Sequence, residues 1–241
     1  MALLITFFLG LFFVLGALIA KIPTDQEKIE HWSIAIAFGA MVALAVCDLV
    51  PEVFECAMDG SVILSVILVA AGTAILKGLD CFVPEHNDSR TEETSGNLAH
   101  IGIISAVAIT IHNLVEGMTV YTIATSSLSI GFSLALGVGL HNIPMGMLIY
   151  STLKKERKDK KRSILAVTCL STFLGGLLMW SVSSILTERL IGYLVCIALG
   201  MVIYILVFEL FPSVYRFKNR NSMIIGSLVG FAVVLLSMFF E

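Results

Sequence analysis

The chain has 241 residues, of which 58% are hydrophobic and 14% charged, and its formal net charge is −3. Ordinary soluble domains are about 45–50% apolar and about 25% charged, so this composition excludes a typical soluble globular protein. With no basic excess we expect no nucleic-acid partner, and the five cysteines, which include no CxxC pair, give no disulfide framework or zinc-finger signature.

Apolar runs long enough to cross a bilayer occur eight times. About 20 apolar residues span a hydrocarbon core of about 30 Å, and the runs are 3–20, 34–56, 61–83, 98–123, 128–152, 163–186, 190–212 and 222–240. We read the first run as a retained helix rather than a cleaved signal peptide, because no basic segment precedes it. The predicted fold class is therefore an all-α integral membrane protein, with eight transmembrane helices in a single domain over residues 1–241.

Positive charge is concentrated in alternate loops. Of the 15 Lys and Arg residues, 13 lie in the loops at 21–33, 84–97, 153–162 and 213–221, which must share one side of the membrane. Short loops rich in Lys and Arg remain in the cytoplasm. We therefore expect a multi-pass protein of the cell membrane with both termini extracellular.

An internal repeat links the second and seventh runs. The segments align without gaps as GAMVALAVCDLVP at 39–51 and GMVIYILVFELFP at 200–212, and they pair Asp48 with Glu209 and Pro51 with Pro212. The predicted orientation makes these two runs antiparallel, so the first three and last three helices form inverted repeats around the fourth and fifth, a 3+2+3 arrangement. Inverted repeats are typical of transporters that hold substrate near the membrane midplane.

The fourth and fifth runs bury nearly the same polar motif. The sequences are IHNLVEGM at 111–118 and LHNIPMGM at 140–147, and their polar or sulfur-containing candidates are His112, Asn113, Glu116, His141, Asn142 and Met145. His112 and Glu116 share a helix face because they are four residues apart, as do His141 and Met145. An ionisable residue at this depth costs about 2.5–3.5 kcal/mol, which a bound divalent cation would offset. Imidazole and carboxylate suit Zn²⁺ and neighbouring metals.

Two simpler features carry weaker expectations. Pro51 and Pro144 lie inside apolar runs and should interrupt the hydrogen bonding of their helices. The GSLVG segment at 226–230 fits GxxxG and predicts a helix–helix or dimer contact.

The buried histidines also allow an alternative to metal binding. Each of them could hydrogen-bond a neighbouring helix while Glu116 stays protonated.

The HNLVEG and HNIPMG segments resemble the ZIP (Zrt/Irt-like protein) family of divalent metal transporters, particularly its bacterial branch, in which HNxPEG is typical of both helices. The resemblance extends over essentially the whole chain, including a DLVPE segment in the second run. It implies a primary metal site at His112, Glu116 and His141, with Asn113 and Asn142 where the family holds a second metal. It further implies that Asp48, Glu52 and Glu209 lie along the ion pathway and that Met41 is an additional thioether ligand.

Two departures from the family pattern concern the second metal. Met145 stands where the family usually has a metal-bridging Glu, and the best alignment of STFLGG at 171–176 puts Thr172 at another pathway Glu. We therefore expect one bound metal rather than two. Replacing carboxylate by thioether favours soft ions such as Zn²⁺ or Cd²⁺ over Mn²⁺.

The favoured function is a divalent metal permease, not an enzyme, that moves Zn²⁺ or a Cd²⁺-, Fe²⁺- or Mn²⁺-like ion into the cytoplasm. The metal is substrate, and no prosthetic group is expected. Because GxxxxGK[ST] is absent, the driving force would be the ion gradient or proton exchange. The resemblance suggests a homodimer and a sliding of helices 1, 4, 5 and 6 against 2, 3, 7 and 8. Two alternatives stay open: a metal sensor that transports weakly, and an intramembrane metallohydrolase with Glu116 as general base.

Overall fold

A computed structural model describes residues 1–22, 25–82, 93–154, 156–182, 188–216 and 219–239, and within these ranges it is helical without strands. Eight of its helices are long and apolar enough to cross a membrane. They are α1 (Ala2–Lys21), α2 (Gln26–Ala43, a π-helical segment Leu44–Leu49, and Val50–Asp59), α3 (Val62–Asp80), α4 (Glu93–Ser126), α5 (Leu128–Thr152), α6 (Lys158–Val182), α7 (Glu188–Tyr204, a π-helical segment Ile205–Leu210, and Phe211–Tyr215) and α8 (Arg220–Ser237).

The helix order matches the eight apolar runs, but several boundaries differ from them. Helix α2 begins at Gln26 rather than at 34, and α6 begins at Lys158 rather than at 163. The start of α2 is set by a cap, because the Asp25 carboxylate accepts a hydrogen bond from the Lys28 backbone N–H at 3.3 Å. Hydrophobicity marks the part of a helix that lies in hydrocarbon, whereas capping marks where the helix itself begins.

The repeat found in the sequence occupies matching local structure. Each of α2 and α7 contains a six-residue π-helical segment, with Asp48 and Glu209 as the corresponding fifth residues, and each has a proline shortly after that segment. A π segment is rare and frequently accompanies a functional site. Helix α5 continues through Pro144, although this proline has no N–H to donate to the Leu140 carbonyl oxygen one turn earlier.

Glycines bring particular helices into backbone contact. A Cβ added to Gly16 on α1 would lie 2.0 Å from the Ile143 carbonyl oxygen on α5, and one on Gly117 of α4 would lie 1.9 Å from the Thr172 carbonyl oxygen on α6. Only glycine permits such close approach. Gly10 on α1 makes a similar contact with the Cys169 carbonyl oxygen on α6. These contacts unite α1, α4, α5 and α6 into what we call the first bundle.

A second set of glycines joins the other four helices in two pairs, α2 with α8 and α3 with α7. A Cβ on Gly39 of α2 would lie 1.8 Å from the Ser227 carbonyl oxygen on α8, and one on Gly200 of α7 would lie 2.0 Å from the Val69 carbonyl oxygen on α3. Gly39 and Gly200 are paired in the sequence repeat. Helices α2, α3, α7 and α8 form what we call the second bundle, and the strongest helix pairings fall within the two bundles.

The GxxxG segment is used inside the chain. A Cβ on Gly230 would lie 1.8 Å from the Ile36 carbonyl oxygen, and one on Gly226 would lie 2.8 Å from the Ala35 side chain. Both contacts join α8 to α2. The motif therefore makes the predicted helix–helix contact, but it gives no support to a dimer.

Candidate metal centre

Three side chains converge midway along α4 and α5. The Nε2 atoms of His112 and His141 each lie 2.7 Å from Oε1 of Glu116, and the three ligand atoms are within 4.8 Å of one another. One helical turn places His112 below Glu116 on the same face of α4, while packing of α5 on α4 supplies His141. All three are at most 11% exposed at the side chain.

The polar atoms of this trio are incompletely paired. His141 and Glu116 are hydrogen-bonded, whereas His112 Nε2 is close to the same oxygen without hydrogen-bond alignment, and Glu116 Oε2 has no partner among the described residues. Leaving a buried charged or polar atom unsatisfied is costly. Two imidazole nitrogens and a carboxylate are a donor set that suits Zn²⁺. A bound cation would therefore interact with the atoms of the trio that have no hydrogen-bond partner.

The residues predicted for a second metal lie in a neighbouring buried region. Asn113, Asn142 and Thr172 are fully buried. Asn113 Nδ2 donates to the Thr168 carbonyl oxygen at 3.5 Å, but Asn113 Oδ1, both amide atoms of Asn142 and Thr172 Oγ1 have no hydrogen-bond partner within the described part of the chain. These three side chains carry no charge, unlike Glu116.

The two methionines considered as ligands lie in the apolar core. Met41 and Met145 are 1% and 2% exposed and belong to the same cluster of buried hydrophobic residues. Neither is among the residues that line the cavity beside the trio. Met145 lies one turn beyond His141 on α5, so it remains the nearer candidate of the two along the chain.

A cavity between the two bundles reaches the trio. Its lining includes His112 and Glu116 from the first bundle and Asp48 and Glu52 from α2 in the second. It also includes residues past Glu116 on α4 and before His141 on α5, such as Thr119 and Leu134. Helix α4 runs away from the side of the 84–97 loop, and α5 runs back towards the same side, which carries the basic 153–162 loop. The cavity therefore extends away from the side of these two loops.

Glu209, another predicted pathway residue, is not among the residues that line this cavity. Its Oε1 is 3.9 Å from Nε2 of His100, which is 2.5 Å from Oδ1 of Asp80. We did not predict His100 or Asp80 as site residues. The available signal was their position, because Asp80 lies near the end of the third apolar run and His100 near the start of the fourth, on either side of the 84–97 loop.

Comparison with known proteins identifies relatives that match almost the whole chain. The zinc transporter ZupT of Enterobacter sp. (strain 638) is 27% identical over 246 residues, covering 98% of this chain and 95% of the relative. The zinc transporters ZupT of Chlorobium chlorochromatii (strain CaD3) and Clostridium perfringens (strain 13 / Type A) are 27% and 28% identical, covering 97% and 99% of this chain and 95% of each relative.

The ZIP Zinc transporter family model matches residues 83–238. That segment is more than half of the chain and contains both His-Asn motifs, the α4 and α5 helices that carry them, and the repeated Glu209 region. The chain therefore belongs to the ZIP family of zinc transporters.

Proposed function

We propose that this chain carries Zn²⁺ across the membrane through the site formed by His112, Glu116 and His141. The observation that carries the proposal is the convergence of both imidazole Nε2 atoms on one carboxylate oxygen, each at 2.7 Å. Zinc bound at about 2.0–2.1 Å holds tetrahedral ligands about 3.4 Å apart. Side-chain rotations that separate these atoms by less than an ångström would admit the ion.

Three protein ligands suit a cargo ion better than a structural one. Structural zinc sites are closed by four protein ligands, whereas sites with three keep a position for water or another exchangeable group. The cavity that reaches Glu116 supplies the route to that position, and Asp48 and Glu52 line it. Carboxylates that line a narrow cavity attract divalent cations and raise their local concentration.

The direction we propose is uptake into the cytoplasm. The basic loops favour a cytoplasmic location for the ends of α1, α3, α5 and α7, and the cavity lies on the other side of the trio. On this orientation the structure is open towards the extracellular side, from which the ion enters, and both termini are extracellular.

We further propose that one metal ion binds at a time and that soft ions are preferred. Met145 and Thr172 supply no charge where relatives of the family pattern carry carboxylates, so the neighbouring region of Asn113 and Asn142 would hold a second divalent cation poorly. Transport would then select Zn²⁺ or Cd²⁺ over Mn²⁺. Membership of a transporter family leaves the hydrolase alternative without support.

The test is uptake of radiolabelled zinc by proteoliposomes that contain the purified chain. We expect time-dependent uptake by the wild type, loss in His112→Ala, and retention in His31→Ala, which removes a histidine of α2 outside the cavity lining. Zinc binding without uptake by the wild type would contradict transport and favour the sensor alternative. Uptake that survives in His112→Ala would contradict the proposed site.

A further inference from the structure

Basic side chains are concentrated where α5 is joined to α6. Residues 153–162 contain seven Lys or Arg and only two acidic residues. One of the two acids is already paired within the segment, because a Glu156 carboxylate oxygen lies 3.2 Å from Lys160 Nζ. The segment therefore carries a strong excess of positive charge beside two membrane-spanning helices.

Helix α1 brings a further positive charge to the same place. It packs antiparallel to α6, since a Cβ on Gly10 would lie 2.1 Å from the Cys169 carbonyl oxygen and the rings of Phe7 and Phe173 are 5.8 Å apart. Along α1 from Phe7 to Gly10, the facing position on α6 thus moves back from 173 to 169. The same register continued to the last residue of α1 places Lys21 beside the first turn of α6.

Lys161 lies between the other charges of this region. Its Nζ is 4.1 Å from the centre of the Tyr150 ring on α5, a cation–π contact that fixes the start of α6 against α5. The charges of Lys154 and Lys21 both act on it. Within the described part of the chain, none of these three ammonium groups forms an ion pair with a carboxylate. We call Lys21, Lys154 and Lys161 the basic surface.

Exposed apolar side chains continue from the basic surface along both α1 and α6. Leu15 and Leu18 on α1 are 45% and 51% exposed, and Val167 and Leu170 on α6 are 55% and 41% exposed. In a bilayer such side chains contact acyl chains, which are as apolar as leucine. A molecule with an anionic head and apolar tails matches the charges and the helix faces together, whereas a small free anion matches the charges alone.

We propose that the basic surface binds an anionic phospholipid, with its phosphate against Lys21, Lys154 and Lys161 and its acyl chains along α1 and α6. Clusters of Lys and Arg next to a membrane-spanning helix attract anionic headgroups in this way. Because α1, α5 and α6 all belong to the first bundle, the lipid tethers this bundle to the headgroup layer. The lipid is a partner and not a cargo, so the proposal is independent of zinc transport.

The experiment is native mass spectrometry of the purified full-length chain in detergent, with phosphatidylglycerol or phosphatidylcholine of the same acyl chains added over a range of concentrations. The test variant is Lys21→Gln/Lys154→Gln/Lys161→Gln. Inorganic phosphate is the competitor that separates a lipid site from a site for a free anion.

A matched control removes three exposed basic charges from the ends of second-bundle helices. It is the triple variant Lys77→Gln/Arg216→Gln/Arg220→Gln. Size-exclusion profiles that match the wild type establish that both triple variants are folded.

We expect the wild type and the control to bind phosphatidylglycerol at least about tenfold more tightly than phosphatidylcholine, and the test variant to lose this preference. Each Lys or Arg at the membrane surface strengthens the attraction roughly fivefold, so three neutralised charges should be sufficient. Inorganic phosphate should leave the bound phosphatidylglycerol in place, because it lacks the apolar contacts.

Three results would overturn the basic surface as a lipid site. They are equal binding of the two lipids by the wild type, an unchanged preference in the test variant, and an equal loss of preference in the control. Displacement of phosphatidylglycerol by inorganic phosphate would overturn the lipid as the occupant. Zinc uptake by the wild type in proteoliposomes of phosphatidylcholine alone would still support the proposed function in each of these cases.

Discussion

Glu116 carries the negative charge of the midplane site. One of its oxygens faces two imidazole nitrogens at 2.7 Å, while the other has no hydrogen-bond partner among the described residues. A carboxylate at this depth is unfavourable unless it is neutralised or paired. A bound cation would neutralise this charge and contact the unpaired oxygen, so Glu116 favours cation binding at the trio.

Met145 determines metal selectivity if the missing carboxylate is what excludes hard ions. We expect Met145→Glu to gain inhibition of zinc uptake by Mn²⁺, because a carboxylate beside His141 adds an oxygen donor that manganese prefers. Competition by Mn²⁺ and Cd²⁺ is measured in proteoliposomes. Met147→Glu on the same helix is the control, and an unchanged Mn²⁺ inhibition in Met145→Glu would refute this role.

Asp48 and Glu52 line the cavity, and we propose that they act on the approach of the ion rather than on its binding at the trio. We expect Asp48→Asn/Glu52→Gln to raise the zinc concentration for half-maximal uptake by roughly tenfold, and the difference should shrink at high ionic strength. Maximal uptake should change much less. The exposed Glu55→Gln is the control on the same helix, and a change confined to maximal uptake would be inconsistent with a role in attraction.

Residue-level prediction succeeded where helix geometry alone decides proximity. His112 and Glu116 are four residues apart, so any helix there brings them together. The contact of His141 with Glu116 requires α5 to pack on α4 in one register, which the repeated motif indicated. His100 and Asp80 were missed because each is an isolated polar residue at the end of an apolar run, and only helix packing brings them together.

At the scale of helices, glycine replaces the hydrophobic effect as the determinant of packing. Within a bilayer, helix association depends on close van der Waals contact and hydrogen bonds. Gly39, Gly200 and Gly230 each place a carbonyl oxygen of a neighbouring helix at or within 2.0 Å of where a Cβ would lie. Those contacts define which helices pack together as a unit.

The prediction for these contacts compares two glycines of the second bundle. Gly200→Ala should destabilise the chain by about 1–3 kcal/mol, the usual cost of overpacking, because its Cβ would lie 2.0 Å from the Val69 carbonyl oxygen. A Cβ on Gly78 would meet nothing within 4 Å, so Gly78→Ala should be neutral or stabilising through helix propensity. Thermal unfolding in detergent measures both. Equal midpoints for the two variants would refute the packing argument.

The π segments show what the sequence could not specify at this scale. Aligned Asp48, Pro51, Glu209 and Pro212 indicated related helices, but the local widening of both helices over six residues has no signature in hydropathy. Pro144 illustrates the converse, because α5 continues through it. A proline marks a lost hydrogen bond, and the surrounding packing decides whether the helix changes its form.

At the scale of the whole molecule, the cavity lies where the two bundles meet. Helices α4 and α5 carry the trio, while α2 and α7 supply the facing wall through residues such as Asp48 and Val195. The close glycine contacts lie within bundles. A site on one bundle, reached between the two, is suited to relative motion of the bundles, as the family resemblance suggested.

Two cysteine pairs test that motion. In a background without native cysteines, Ser33→Cys/Ser151→Cys places a pair between bundles, where the serine Oγ atoms are 2.9 Å apart. Thr110→Cys/Thr168→Cys places a pair within the first bundle, where the threonine Oγ1 atoms are 3.0 Å apart. We expect oxidation to stop zinc uptake in the first pair only, with recovery on reduction. Undiminished uptake by the oxidised Ser33→Cys/Ser151→Cys variant would show that the bundles need not separate there.

Composition and charge were sufficient for the number of helices and for an expected orientation, because eight apolar runs and alternate basic loops follow from bilayer physics. The division into two bundles was expected from resemblance, and the glycine contacts give it a physical basis. The sequence alone could not show which glycines face a backbone, since Gly78 and Gly200 look alike in an apolar helix.

The most direct test of the midplane site is zinc uptake by Glu116→Gln. This substitution keeps the size and hydrogen-bonding capacity of the side chain but removes the charge that both histidines face. We predict at least about a tenfold loss of uptake and of zinc affinity at this site. Glu156→Gln is the control and should leave both unchanged, because Glu156 pairs with the exposed Lys160 and does not line the cavity. Wild-type uptake by a folded Glu116→Gln protein would contradict the account, because the ion would then cross without its central ligand.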